Sequence, residues 1–210
     1  MILAICGILI FLAIQLKTGI STTGLKIKQA ISAPWDLSEF LRLKPKPWKI
    51  NRYYSFTEEI VRSLGHRFVG RLDSAILHWK NVPVLDIIIE YKFPKKHLPD
   101  RARKEDVFQS GLYALALLES GVSCSSTKIV IIYCLQDNAK KCFSKKSTRD
   151  CWRCRNGRTF VSAFRPKQVL KELTRLNEVW YDGRKPRPSQ DAHSCQVCPY
   201  RKGICNHSLV

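Results

Sequence analysis

The segment 82–93, VPVLDIIIEYKF, limits the fold more than any other part of the chain. Its β-branched run belongs in a buried strand, where residues alternate between faces with period two. That alternation puts Ile87, Ile89 and Tyr91 on one face and Asp86, Ile88, Glu90 and Lys92 on the other. Charges on a buried strand are costly unless something compensates them, and a divalent cation held by carboxylates beside a lysine is one such compensation. The segment 67–78, RFVGRLDSAILH, also reads as a strand and is joined to the first by the short link WKN, as in a hairpin. Asp73 in that segment can point into the same space.

Two carboxylates and a lysine suit phosphodiester hydrolysis. Asp73 and Glu90 would hold Mg2+ or Mn2+ through hard oxygen ligands. The ion would polarise the phosphate and lower the pKa of an attacking water, while Lys92 orients that water or stabilises developing negative charge. Glu-x-Lys alone is common on solvated strands, so the pattern needs companions. Charge supplies one. The chain has 36 Lys and Arg against 17 Asp and Glu, a net +19 at pH 7. An enzyme for small neutral metabolites gains nothing from that self-repulsion, whereas a polyanion binder gains affinity and on-rate. Nucleic acid is the first partner expected and an anionic membrane surface the second.

Elsewhere the periodicity predicts helices at 34–43, at 56–65 from the spacing of Phe56, Ile60 and Leu64, at 104–121, and at 166–183. Apolar runs at 126–135 and 158–164 predict further strands, giving one α/β domain with a mixed central sheet. Gln109 and Tyr113 stand four apart and so share a helical face. Residues 17–55 read as a basic tether with one short helix. Residues 56–210 form the main domain, with a basic insertion at 136–158 and a cysteine-rich tail at 184–210.

The chain has nine cysteines, and those of 151–154 and 195–205 form two close groups at two-residue spacing. Such groups read as metal or cluster ligands in a reducing compartment. Cys6, Cys124, Cys134 and Cys142 are scattered and have no assigned task. Lys140, Lys141, Lys145, Lys146, Arg149, Arg153, Arg155 and Arg158 crowd the insertion. With Phe143 and Trp152 interleaved, they suit phosphate contacts and base stacking on a single strand.

The apolar run through Leu16 is about 16 residues long and uncharged, just under the ~17–25 that span a bilayer. It lacks a basic leader and a small-x-small cleavage site, and Lys17, Lys26 and Lys28 follow it. These features predict a short anchor over 1–16 that leaves the remainder on the cytoplasmic face. A buried core helix and a start codon placed upstream of the true one compete with that reading.

In order, G-R-L-D (70–73), V-P-V-L-D-I-I-I-E-Y-K (82–92), Q-S-G-L-Y-A-L (109–115) and C-Q-V-C-P-Y-R-K-G-I-C (195–205) resemble a known set. They resemble the RecB-type branch of the PD-(D/E)XK nuclease superfamily. The nearest likeness is to the CRISPR-associated RecB-like exonucleases and the nuclease domain of the eukaryotic replication helicase-nuclease. The resemblance implies a restriction-endonuclease-like α/β core, a mixed central sheet flanked by helices, with a C-terminal cysteine cluster. It implies that Asp73 and Glu90 bind the metal, that Lys92 is the catalytic lysine, and that Gln109 and Tyr113 help place the DNA strand. It implies that Cys195, Cys198 and Cys205 ligate a [4Fe–4S] cluster, and that the substrate is DNA, commonly single-stranded and cut from an end.

The chain departs from that family in three places. The N-terminal region that carries the fourth cluster cysteine reads FLRLKPKPW here. The upstream metal-binding histidine has only His66 to represent it, seven residues before Asp73. Glu58 or Glu59 on the helix expected at 56–65 could serve instead, Glu59 being the tentative choice. The cysteine spacing C-x2-C-x6-C is one residue longer than expected. The pair in CWRCRNGR leaves two options: Cys154 or Cys151 supplies the missing cluster ligand, or both join Cys195 and Cys198 in a zinc site. A metal-dependent nuclease leads these readings. A catalytically impaired nucleic-acid-binding protein on the same scaffold and a membrane-associated zinc protein are its rivals.

Overall fold

The computed structural model describes residues 22–43, 52–143, 151–152, 154–185, 192–199, 201, 205–206 and 208–209. The apolar run 1–16, most of the basic stretch 44–52, and Lys145, Lys146, Arg149 and Arg153 of the insertion lie outside them. Among the described residues no helix is long and apolar enough to cross a membrane. The chain divides into two compact units, Met1–Val169 and Leu170–Val210.

The first unit is built on a six-stranded mixed sheet in the order β1-β2-β3-β4-β5-β6. Its strands are β1 (Ile31–Ser32), β2 (Tyr54–Ser63), β3 (Phe68–Trp79), β4 (Pro83–Lys92), β5 (Lys128–Cys134) and β6 (Gly157–Ala163). β1 runs parallel to β2 and β4 parallel to β5, and the other neighbours are antiparallel. Parallel strands need a crossover, and α3 (Lys104–Glu119) supplies it between β4 and β5. Helix α1 occupies 22–29, followed by α2 (Leu37–Arg42) and, after β5, α4 (Gln136–Phe143). Helix α5 (Pro166–Trp180) begins in the first unit and continues into the second, which also holds α6 (Ala192–Gln196). Gly121, after α3, and Gly183, after α5, take the left-handed conformation at φ 86° and 69°, as expected of glycines that end helices.

Three sequence expectations are corrected. Residues 56–65 form no helix, because β2 covers Tyr54–Ser63. The cause is a break in alternation. Glu58 sits at φ 58°, and the ladder passes from Thr57↔Ser74 to Glu59↔Leu72, skipping Glu58 and Asp73. The buried positions then change from Tyr54 and Phe56 to Val61 and Ser63, so period two is masked in the sequence. Second, residues 22–33 are not a tether, while the short helix expected at 34–43 is α2. Ile27 and Ala30 are buried with Ile76, Ile87, Ile89, Val130 and Ile132 in one face of the core, while Phe40 of α2 stacks on Phe56 with ring centroids 5.0 Å apart. Third, Trp152 is not free to stack on bases. It is 8% exposed within that same cluster, and its indole lies so close to Gly24 that an added Cβ would stand 2.4 Å from Nε1.

Candidate active site

The site occupies the fork where β3 and β4 part. Their ladder ends at Ser74↔Ile89, and beyond it the Tyr91 backbone N–H donates to Asp73 Oδ2 at 2.7 Å. A carboxylate thus replaces the ladder carbonyl, and Asp73 is fixed beside the C-terminal end of β4. From there Glu90 and Lys92 point toward α3, while Ile87, Ile89 and Tyr91 pack on the opposite face. Lys92 Nζ donates to Glu90 Oε1 and to Gln109 Oε1, both at 2.8 Å. Gln109 Nε2 in turn donates to the Tyr113 hydroxyl at 2.6 Å. The five residues expected from the motifs, Asp73, Glu90, Lys92, Gln109 and Tyr113, are therefore brought together.

Glycine makes the fit possible. A Cβ at Gly70 would stand 2.6 Å from Tyr113 Cε1, and one at Gly111 would stand 2.6 Å from Val169 Cγ2. The first lets the Tyr113 ring lie on β3, and the second lets α3 approach the start of α5.

Burial dominates the electrostatics. It pushes the Glu90 carboxyl up to about 7, with Asp73 and Asp106 adding to the rise against the pull of Lys92. Asp73 is raised chiefly by burial, and Glu58 adds to it. Burial alone would lower the Lys92 ammonium, but Glu90, Asp106 and Asp73 together hold it above its ordinary value. Glu90 Oε2 is buried with no hydrogen-bond partner. Such an atom is costly to leave unmatched, and a hard cation is the match that two adjacent carboxylates favour. Asp73 and Glu90 therefore fit Mg2+ or Mn2+.

Two residues here escaped the sequence reading. Asp106 stands 3.7 Å from Lys92 Nζ through Oδ1, and its Oδ2 accepts from the Tyr133 hydroxyl. Asp106 lies three residues before Gln109 on α3, so helical spacing could have exposed it. Tyr133 pairs in register with Lys92 across the parallel β4–β5 ladder, which no local pattern reveals. A cleft of about 680 Å3, lined by Pro99–Asp106, opens at the start of α3 and brings Arg101, Arg103 and Lys104 to the same edge.

Other expectations fall elsewhere. Glu59 lies on a strand, not a helix, and its carboxyl is raised by burial and held by the Leu37 backbone N–H. The carboxylate that acts on Asp73 is Glu58. His66 sits between β2 and β3, where its Nε2 meets Glu119 Oε1 at 3.1 Å. Asp86 does not share the face of Glu90. A β-bulge in β4 falls at Asp86, between the pairs Ile76↔Ile87 and Leu77↔Leu85, and its carboxylate pairs instead with His78 and Lys26.

The cysteines divide between the two units. Cys195 lies in α6 and Cys198 just after it, and the Cys198 N–H closes a turn onto the Cys195 carbonyl at 3.2 Å. Cys195, Cys198 and Cys205 are half-buried thiols outside any disulfide. Cys151 and Cys154 belong to the first unit. There the Cys134 thiol is raised by burial and by Cys154 and Cys142, so two cysteines scattered in sequence share a neighbourhood with the insertion pair. Among the described residues no group of three or more His, Cys, Asp or Glu is arranged to hold a metal ion. No family model matches the chain, and no curated protein matches it.

Proposed function

We propose that the chain is a divalent-metal-dependent deoxyribonuclease with a PD-(D/E)XK-type core, cutting single-stranded DNA from an end. The observation that carries the reading is the buried, unpartnered Glu90 Oε2 beside Asp73 and a lysine fixed by Glu90 and Gln109. A bound Mg2+ or Mn2+ would activate the scissile phosphate and the attacking water. Asp73 and Glu90 would hold it, Lys92 would direct its ammonium at the charge that develops on the phosphate, and Gln109 orients Lys92 while Tyr113 orients Gln109. The surplus of positive charge draws the polyanion in.

The remaining parts of the proposal rest on sequence. The uncharged run 1–16 would tether the enzyme to the inner face of a membrane. The resemblance of the C-terminal cysteine motif implies that Cys195, Cys198 and Cys205 would ligate a [4Fe–4S] cluster, with Cys154 or Cys151 as the fourth ligand and zinc as the alternative occupant. Iron and sulfide assays on anaerobically purified protein decide between these metals.

A second reading is favoured by one observation: the upstream histidine is engaged with Glu119, away from the carboxylate pair. On that reading the scaffold binds nucleic acid without cutting it. End-labelled single-stranded DNA incubated with Mn2+ tests both. Cleavage by the parent protein that Lys92→Ala reduces to a small residual rate supports the nuclease. Salt-sensitive binding with no cleavage supports the binder, and equal cleavage by parent and Lys92→Ala rejects the assigned site.

A further inference from the structure

The Lys92 ammonium is held by more than the motif residues. Its Nζ donates to Glu90 Oε1 and Gln109 Oε1, and the third oxygen facing it is Asp106 Oδ1 at 3.7 Å. Asp106 is itself fixed from behind, because its Oδ2 accepts from the Tyr133 hydroxyl. That hydroxyl also accepts the Arg103 backbone N–H at 3.0 Å, at a helix start where Arg103 provides no side-chain cap. Tyr133 is buried, 1% exposed, and its ring packs edge-on against Phe160 at 5.8 Å. Burial, together with the hydrogen bond to Asp106, pushes its phenol up to about 12, so it remains a donor at any working pH. Strand β5, the start of α3 and the end of β4 thus meet at one carboxylate.

We propose that Asp106 and Tyr133 form a positioning pair that sets the place of the Lys92 ammonium, with Asp106 supplying a facing carboxylate at ion-pair distance and Tyr133 locking its orientation. Neither residue touches the reacting atoms. Without Asp106 the ammonium keeps its two acceptors, Glu90 and Gln109, but loses the carboxylate charge that faces it at 3.7 Å, and its position is set by those two alone. Displacement of about an ångström is enough to cost a catalytic group much of its effect. In its catalytic arm the inference rests on the nuclease reading; in its structural arm it does not.

The experiment uses the full chain with 15N-labelled lysine, and Lys92→Ala identifies the Lys92 ammonium signal by its loss. Asp106→Asn and Tyr133→Phe are then compared with the parent by side-chain NMR and by Mn2+-dependent cleavage of a single-stranded oligonucleotide. The expected result is a shifted or broadened Lys92 signal in both variants. It is accompanied by a fall in kcat of about 10- to 100-fold and a KM within about twofold. In the Lys92→Ala background neither substitution lowers residual cleavage further, because both act through Lys92. An unchanged Lys92 signal in both variants overturns the proposal, as does a multiplicative loss in the Lys92→Ala background. A parent protein that cuts no DNA removes the nuclease reading, and the NMR arm then decides the positioning pair alone.

Discussion

Lys92 Nζ donates to Glu90 Oε1 at 2.8 Å, while Oε2 of the same carboxylate is buried with no partner. One oxygen of the group is matched and the other is not, and the Glu90 carboxyl is pushed up to about 7 by burial. The folded form therefore keeps a proton that the unfolded chain releases at its ordinary value of 4.5. Stability must fall as pH rises through that window and stay low above it. Glu90→Gln, lacking the charge, is expected to exceed the parent above pH 7 by on the order of 3 kcal/mol without divalent ions. The gap closes at acid pH, and added Mn2+ narrows it in the parent alone. Urea unfolding at acid and alkaline pH reads this, and equal stabilities throughout would refute it.

Gly70→Ala tests the seat of Tyr113. The new methyl would stand 2.6 Å from Tyr113 Cε1, so the ring must move or the strand must shift. Overpacking of this kind costs about 1–3 kcal/mol. Because Tyr113 accepts from Gln109 and Gln109 accepts from Lys92, cleavage should drop with stability. Thermal melts paired with rate measurements check both, and a variant equal to the parent in each contradicts the packing.

Glu58 holds a left-handed backbone at φ 58° opposite Asp73. A side chain pays for that conformation where glycine does not, so Glu58→Gly should stabilise the protein by about 1 kcal/mol. The substitution also removes a like charge acting on Asp73. If Glu58 assists in holding the cation, the same variant will bind Mn2+ more weakly by calorimetry while melting at a higher temperature. Loss of stability would show that the Glu58 side chain has a role the backbone strain does not account for.

Asp86 is 3% exposed and pairs with both His78 and Lys26. Removing the buried carboxylate leaves His78 and the part-exposed Lys26 without their acceptor. Asp86→Ala is expected to cost about 1–3 kcal/mol, loosening α1 from the sheet. Hydrogen exchange over 22–30 should rise with it, and unchanged protection there would place the anchor of α1 elsewhere.

Much of this architecture was readable in the amino-acid order. The strands at 67–78 and 82–93 and the helix at 104–121 appear within a few residues of their expected bounds, because each carries an unbroken period. The motif residues were placed for the same reason: each belongs to a well-patterned element, Asp73 to β3, Glu90 and Lys92 to β4, Gln109 and Tyr113 to α3. What escaped were the places where the period breaks. Glu58 reverses the alternation of β2 and makes a strand look helical. The bulge at Asp86 turns a residue assigned to the metal face toward His78. Trp152, set among basic residues, reads as an exposed stacking ring but fills the gap over Gly24.

Local pattern alone thus determined the α/β class, the large positive net charge and the placement of Glu90 and Lys92 on one face of one strand, because periodicity and composition act between near neighbours. Only the tertiary structure decided which carboxylates share a space. It separated Asp86 from Glu90, chose Glu58 over Glu59 as the neighbour of Asp73, and brought Asp106 and Tyr133 to Lys92. The physical reason is that one left-handed residue or one bulge reorients every side chain beyond it. Partners on separate strands, moreover, meet only once the sheet has formed its register.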